Sequence, residues 1–145
     1  DRCKGVFSIE GNLTEEDAYF SGPAVNFDAP QEFKNLFLDK IWTKGEKNEI
    51  FRKYFSGLKQ TDALAMWLFG KDVKNYSNEN LPGKKVMELA CPFLYFWCPD
   101  NTPVSSQTFL HSNNINNTEI SETSHWPMID APELTAKYLA KLEQG

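Results

Sequence analysis

The sequence predicts an α/β fold built on a parallel sheet, and three observations carry that expectation. Apolar patterns alternate along the chain as strand, helical block, strand, helix, weak strand and helix, the order that parallel sheets with crossover helices produce. The segment Pro92-Phe93-Leu94-Tyr95-Phe96-Trp97 is apolar without polar alternation, as a strand covered on both faces requires. Finally, 145 residues with 41% hydrophobic and 24% charged side chains can bury roughly two thirds of the unfolded surface, enough for a real core.

Taken in order, Val6-Phe7-Ser8-Ile9 is β-branched and aromatic and is followed by Gly11-Asn12, which reads as a buried strand ending in a turn. Gly22, Pro23 and Pro30 mark a loop, after which Phe33, Leu36, Phe37 and Ile41 recur at helical spacing until Gly45. Ile50, Phe51, Tyr54, Phe55 and Leu58 form a second helical face. A third helix is expected to be capped by Thr61, to run through Leu64, Ala65, Trp67 and Leu68, and to stop at Gly70. Residues 71–83 are rich in Asn, Ser, Pro and Gly and read as a connector. After the apolar strand, Thr102 and Pro103 supply a cap and a first-turn proline for a helix containing Phe109 and Leu110. A weaker strand is expected over Thr118 to Thr123. In the last helix, Asp130-Ala131-Pro132-Glu133 places a cap, an early proline and a capping-box Glu before Leu134, Tyr138, Leu139 and Leu142. The organisation is therefore a strand and acid loop over 1–20, a helical region over 21–80, and a strand-and-helix region over 81–145.

Composition also narrows the function classes. Fifteen basic and 20 acidic residues give a net charge of -5, and the sequence pI is about 5.0. A nucleic-acid or anionic-membrane surface needs clustered Lys and Arg, so neither partner is expected. No apolar stretch is long enough to span a bilayer, and Asp1-Arg2-Cys3-Lys4 does not resemble a signal peptide. Cys3, Cys91 and Cys98 are odd in number, which disfavours a disulfide framework and suggests a reducing, cytoplasmic location. Only His111 and His125 are available as imidazole ligands and no Cys-x-x-Cys pair occurs, so neither a metal nor a cofactor is expected. Three Asn-x-Ser/Thr triplets, at Asn12, Asn75 and Asn116, are of a kind that arises by chance in an Asn-rich chain.

In parallel sheets, function gathers at the carboxyl ends of the strands. Three ionisable side chains follow the three predicted strands there: Glu10, Asp100 and His125. An imidazole that takes a proton, beside a carboxylate that fixes its tautomer, is the arrangement a nucleophile-activating relay needs. The aromatic residues Trp42, Phe51, Tyr54, Trp67 and Phe69 could line a pocket, but rings at helical spacing read first as core. Cys98 reads as a small buried residue.

The segment Ser124-His125-Trp126-Pro127-Met128-Ile129-Asp130-Ala131-Pro132-Glu133 resembles the histidine loop and final helix of the α/β-hydrolase fold superfamily. Pro92 to Asp100 is similar to its seventh strand and acid loop, and Gly5 to Asp17 to its sixth strand. The resemblance covers essentially this whole chain but only about the C-terminal half of the family's fold, with the helical region where the family inserts its cap. It implies that His125 is the general base and that Glu10 or Asp100 orients it. The usual acid loop resembles Trp-Gly-x-x-Asp, whereas this chain reads Trp97-Cys98-Pro99-Asp100-Asn101, with Asn101 at the acid position. A subset of the superfamily, including many haloalkane dehalogenases, places its acid after the sixth strand, where Glu10 stands, and Glu10 is the expected partner.

The family's nucleophile sits in a Gly-x-Ser-x-Gly-like elbow, and no serine of this chain has glycines at that spacing. The oxyanion-hole segments belong to the same missing half. The resemblance thus implies the C-terminal portion of an enzyme cleaving an ester, amide or carbon-halide bond of a small-molecule substrate, inactive by itself. A non-catalytic binding or interaction module derived from the same fold is the alternative. If the family order holds, the strand at Val6 to Ile9 exposes an edge, so a complex with a separate N-terminal half, a homo-oligomer, or a fragment clipped from a longer enzyme is expected.

Overall fold

The computed structural model describes residues 3–46 and 48–143, apart from the side chains of Leu142 and Glu143. The readings of Asp1, Arg2 and the Leu142 side chain lie outside the described residues. By backbone proximity the chain divides into two compact units, Asp1–Asp17 with Ser77–Gly145, and Ala18–Tyr76. The second holds most of the 21–80 helical region.

The first unit is mixed α/β. Three parallel strands, β1 (Val6–Ile9), β2 (Phe93–Trp97) and β3 (Asn117–Glu119), lie in the order β1-β2-β3. In register, Val6 stands beside Phe93 and Ile9 beside Phe96, while Tyr95 to Trp97 pair with Asn117 to Glu119. Alternation of side chains sends the residues of β2 to opposite faces. Tyr95 and Trp97 pack with Leu13, Leu110 and Ile115, whereas Phe96 packs with Cys98 and Ile120, with Phe7, Ile9 and Tyr138 around them. Both faces of β2 are therefore dry, which is why its sequence shows no polar alternation. The expected burial of β1 does not hold: all four of its residues are half-buried, and among the described residues the strand is paired on one flank only.

Helices α1 (Pro30–Gly45) and α2 (Glu49–Lys59) follow the predicted apolar periods, whereas α3 (Ala63–Ser77) does not keep the expected face: Leu64, Ala65 and Leu68 are exposed and Met66 and Gly70 are buried. In the helical unit Phe33, Phe37, Ile41, Met66 and Ala24 form the core. Trp67 packs beside them and donates its indole N–H to the carbonyls of Ala24 and Phe27 at 3.0 and 2.9 Å. Trp42, Tyr54 and Phe69 are exposed.

Two expectations fail around α3. Its cap is Asp62, whose Oδ1 accepts the Ala65 N–H at 2.8 Å, and Gly70 does not stop it. A Cβ on Gly70 would lie 2.6 Å from both the Ala24 Cβ and the Ser21 carbonyl oxygen, so this glycine permits a close approach of backbones rather than ending a helix. The supposed connector is also helical. After Ser77 a single 3-10 turn over Asn78–Asn80 leads to α4 (Leu81–Met87). There the Gly83 N–H donates to the Leu13 carbonyl at 2.9 Å, and a Cβ on Gly83 would meet that same oxygen at 2.7 Å. Turn-type residues in this stretch serve contact with the loop that follows β1, as Gly83 does with Leu13 and Asn80 with the Glu15 N–H.

Further corrections concern caps and strand length. Helix α5 (Val104–Ser112) begins after Pro103, and the Thr102 hydroxyl is buried without a hydrogen-bond partner among the described residues instead of capping it. Strand β3 is shorter than the expected Thr118 to Thr123. Its ladder reaches one bond further, from Ile120 N–H to the Trp97 carbonyl at 2.8 Å, and Glu122, at φ 60, then turns the chain. The C-terminal segment forms a one-turn helix α6 (Pro127–Asp130) before α7 (Pro132–Glu143). No helix among the described residues is long and apolar enough to cross a membrane.

Candidate functional site

The site lies entirely within the α/β unit, at the carboxyl ends of β1 and β2. Where β1 ends, Glu10 N–H donates to the Phe96 carbonyl at 3.0 Å, so Glu10 is still in the ladder. Its backbone then adopts φ 44, a left-handed conformation that costs a residue with a Cβ roughly 1–2 kcal/mol. The next turn is held by the Tyr95 hydroxyl, which donates to the Gly11 carbonyl at 2.7 Å. Beyond it Asp17 Oδ2 accepts the Leu13 and Thr14 N–H groups and the Ser106 hydroxyl, each at 2.7 Å. Strain at Glu10 is therefore sustained by a loop fixed at several points.

That conformation directs the Glu10 side chain into the protein, where it is 4% exposed. Its Oε2 lies 2.6 Å from His125 Nδ1. Its Oε1 accepts the Cys98 backbone N–H at 3.0 Å and the Asn101 side-chain amide at 3.3 Å. Because an ionised carboxylate only accepts, Nδ1 carries the proton in this pair and the Nε2 lone pair is left available. The imidazole is 48% exposed and packs edge-on against Trp126, with ring centroids 5.6 Å apart. Nε2 has no hydrogen-bond partner among the described residues.

The loop carrying His125 is fixed by further hydrogen bonds. Thr123 gives its carbonyl to the Asn101 amide at 2.9 Å. Asp130 Oδ2 accepts both the Ser124 backbone N–H, at 2.7 Å, and the Ser124 hydroxyl. Asp130, expected as the cap of the last helix, instead anchors the residue preceding the histidine.

Of the three residues picked out at strand ends, Glu10 and His125 are in contact and Asp100 is not. Asp100 is exposed in the turn after β2, whose Asn101 and Thr102 N–H groups both bond the Cys98 carbonyl at 3.1 Å. No hydrogen bond or ion pair of its carboxylate occurs among the described residues. Asn101, one residue on, bridges Glu10 and Thr123. Asn101, Asp130 and the Cys98 amide are parts of the site that the sequence does not reveal by pattern. Only Asn101 carries a signal, an amide at the position where the hydrolase pattern has its acid. Cys98 itself is fully buried against Phe96 and Ile120.

A half-exposed imidazole oriented by a buried carboxylate can accept a proton from an attacking group and return it to a leaving group. No protein-family model and no curated protein matches this chain.

Proposed function

We propose that this chain is the base-and-acid portion of an α/β-hydrolase-like enzyme, with His125 as general base and Glu10 as its orienting acid. The observation that carries the reading is the 2.6 Å contact between His125 Nδ1 and a Glu10 carboxylate that is itself hydrogen-bonded on its other oxygen. The three parallel strands in sequential order, with Glu10 and His125 at their carboxyl ends, agree with the family's last strands, and the helical unit falls where the family inserts a cap. The nucleophile and the oxyanion hole belong to a segment that this sequence does not contain. The reaction class is hydrolysis of an ester, amide or carbon-halide bond: His125 Nε2 deprotonates the nucleophile or a water, and Glu10 stabilises the imidazolium formed.

The test is turnover of p-nitrophenyl acetate by the chain alone and together with the polypeptide carrying the nucleophile elbow. Expected is no turnover alone and turnover in the assembly. His125→Ala should then cost on the order of 10⁴-fold in kcat, Glu10→Gln a large part of that, and Asp100→Asn little. Hydrolysis by the chain alone that His125→Ala removes would show it to be complete. Activity that survives Glu10→Gln but not Asp100→Asn would place the acid at Asp100.

A further inference from the structure

Cys3 and Cys91 are 88 residues apart in sequence, yet their sulfurs lie 3.7 Å apart. The pairing of β1 with β2 explains why. Cys3 precedes β1 and Cys91 precedes β2, and because the strands run parallel, the two amino-terminal ends fall at the same side of the sheet. The Val6 N–H to Pro92 carbonyl bond, at 2.9 Å, closes the ladder beside them. This end is opposite to the one that carries Glu10.

Accessibility separates the three thiols. Cys3 is exposed and Cys91 is half-buried, while Cys98 is buried past the far end of β2. An odd cysteine count excludes complete pairing but not one pair, and the fold selects which. A disulfide has its sulfurs about 2.05 Å apart, so closure requires an approach of roughly 1.7 Å from the observed 3.7 Å. Cys3 lies outside regular structure, where rotation of its side chain and a small backbone shift supply that movement.

We propose that Cys3 and Cys91 are a redox site, forming by exchange with a low-molecular-weight disulfide an intramolecular bridge that clamps the start of β1 to the start of β2. The thiolate of exposed Cys3 attacks one sulfur of the external disulfide and expels the first small thiol. Cys91 then attacks the Cys3 sulfur of the mixed disulfide and expels the second. Two cysteine thiols are oxidised, one external disulfide is reduced, and the two protons leaving the cysteines end on the two released thiols. In the reduced form the Cys3 thiol, ahead of burial, pushes the Cys91 thiol above its ordinary range, and conversion of Cys3 to the mixed disulfide removes that thiol before Cys91 attacks. The bridge closes a long loop and holds a short edge strand that otherwise has one neighbour, so it restricts the unfolded chain strongly.

The experiment is incubation of the chain with oxidised glutathione, quenching with N-ethylmaleimide, then intact-mass measurement and peptide mapping. Expected is a monomeric chain lighter by two hydrogens, a linked peptide pair containing Cys3 and Cys91, and Cys98 alkylated only after unfolding. The oxidised form should melt higher by roughly 10 °C, a shift removed by reductant. Cys3→Ser, at an exposed position, should abolish both the link and the shift. Cysteines that remain free, that carry glutathione without resolving, or that link only between chains would overturn the proposal. Because no readout involves turnover, its failure is distinguishable from failure of the hydrolase reading.

Discussion

At the scale of single residues, the contact between Glu10 and His125 specifies a tautomer, and that is measurable without substrate. Long-range ¹⁵N–¹H correlation spectra of the neutral imidazole should show His125 protonated at Nδ1 and bare at Nε2, and Glu10→Gln should mix the two tautomers, since an amide can present either a donor or an acceptor to Nδ1. An unchanged tautomer in that variant would mean that Glu10 does not orient the ring. Glu10→Ala should destabilise the fold by about 1–3 kcal/mol in urea melts, because the Cys98 N–H loses its acceptor. A second residue-level effect concerns Cys91, whose thiol is raised first by its hydrogen bond with Cys3 and then by burial. A raised thiol stays protonated to higher pH, so its alkylation is slowed below that point. Cys3→Ala returns it toward ordinary values, and iodoacetamide at about pH 8 should label Cys91 faster in that variant.

Secondary-structure elements make the glycines informative, because identical substitutions should have opposite signs. Gly57 lies inside α2, and a Cβ there meets nothing within 4 Å. Gly57→Ala should therefore stabilise by roughly 0.5–1 kcal/mol through helix propensity. Gly70→Ala puts a methyl 2.6 Å from a backbone oxygen that cannot rotate away, and should cost about 1–3 kcal/mol. Thermal or urea unfolding of the two variants checks the pair, and a stabilising Gly70→Ala would contradict the close backbone approach at Gly70. The same argument applies to Asp130. A cap lost from α7 would only loosen that helix, whereas loss of the Ser124 anchor should broaden the His125 resonances, so Asp130→Ala separates the two roles by NMR line width.

For the α/β unit as a whole, the consequential feature is a parallel sheet of three strands whose β1 has a neighbour on one side. The Val6 and Glu10 N–H groups point to β2, so by the alternation of a parallel ladder the Phe7 and Ile9 N–H groups point to the other flank. In hydrogen exchange, the Phe7 and Ile9 amides should be unprotected in the chain alone and protected once a pairing segment is supplied. Strong protection of both in the isolated monomer would contradict an open edge.

Local chemistry determined a good deal. Apolar run length and periodicity were enough to place β1, β2 and helices α1 and α2, because those signals come from which faces must leave water. The position of Glu10 directly beyond β1 was equally readable, whereas His125, expected directly after a strand ending at Thr123, follows a turn beyond a strand that ends at Glu119. Tertiary contact decided the rest. Whether Gly70 ends a helix or admits another backbone, whether Asp130 caps α7 or holds Ser124, and whether Asn101 is a turn residue or a brace for Glu10 all depend on atoms far away in sequence. The proximity of Cys3 and Cys91 has the same origin: only strand pairing, which brings distant segments into register, can put two sulfurs 88 residues apart within touching distance.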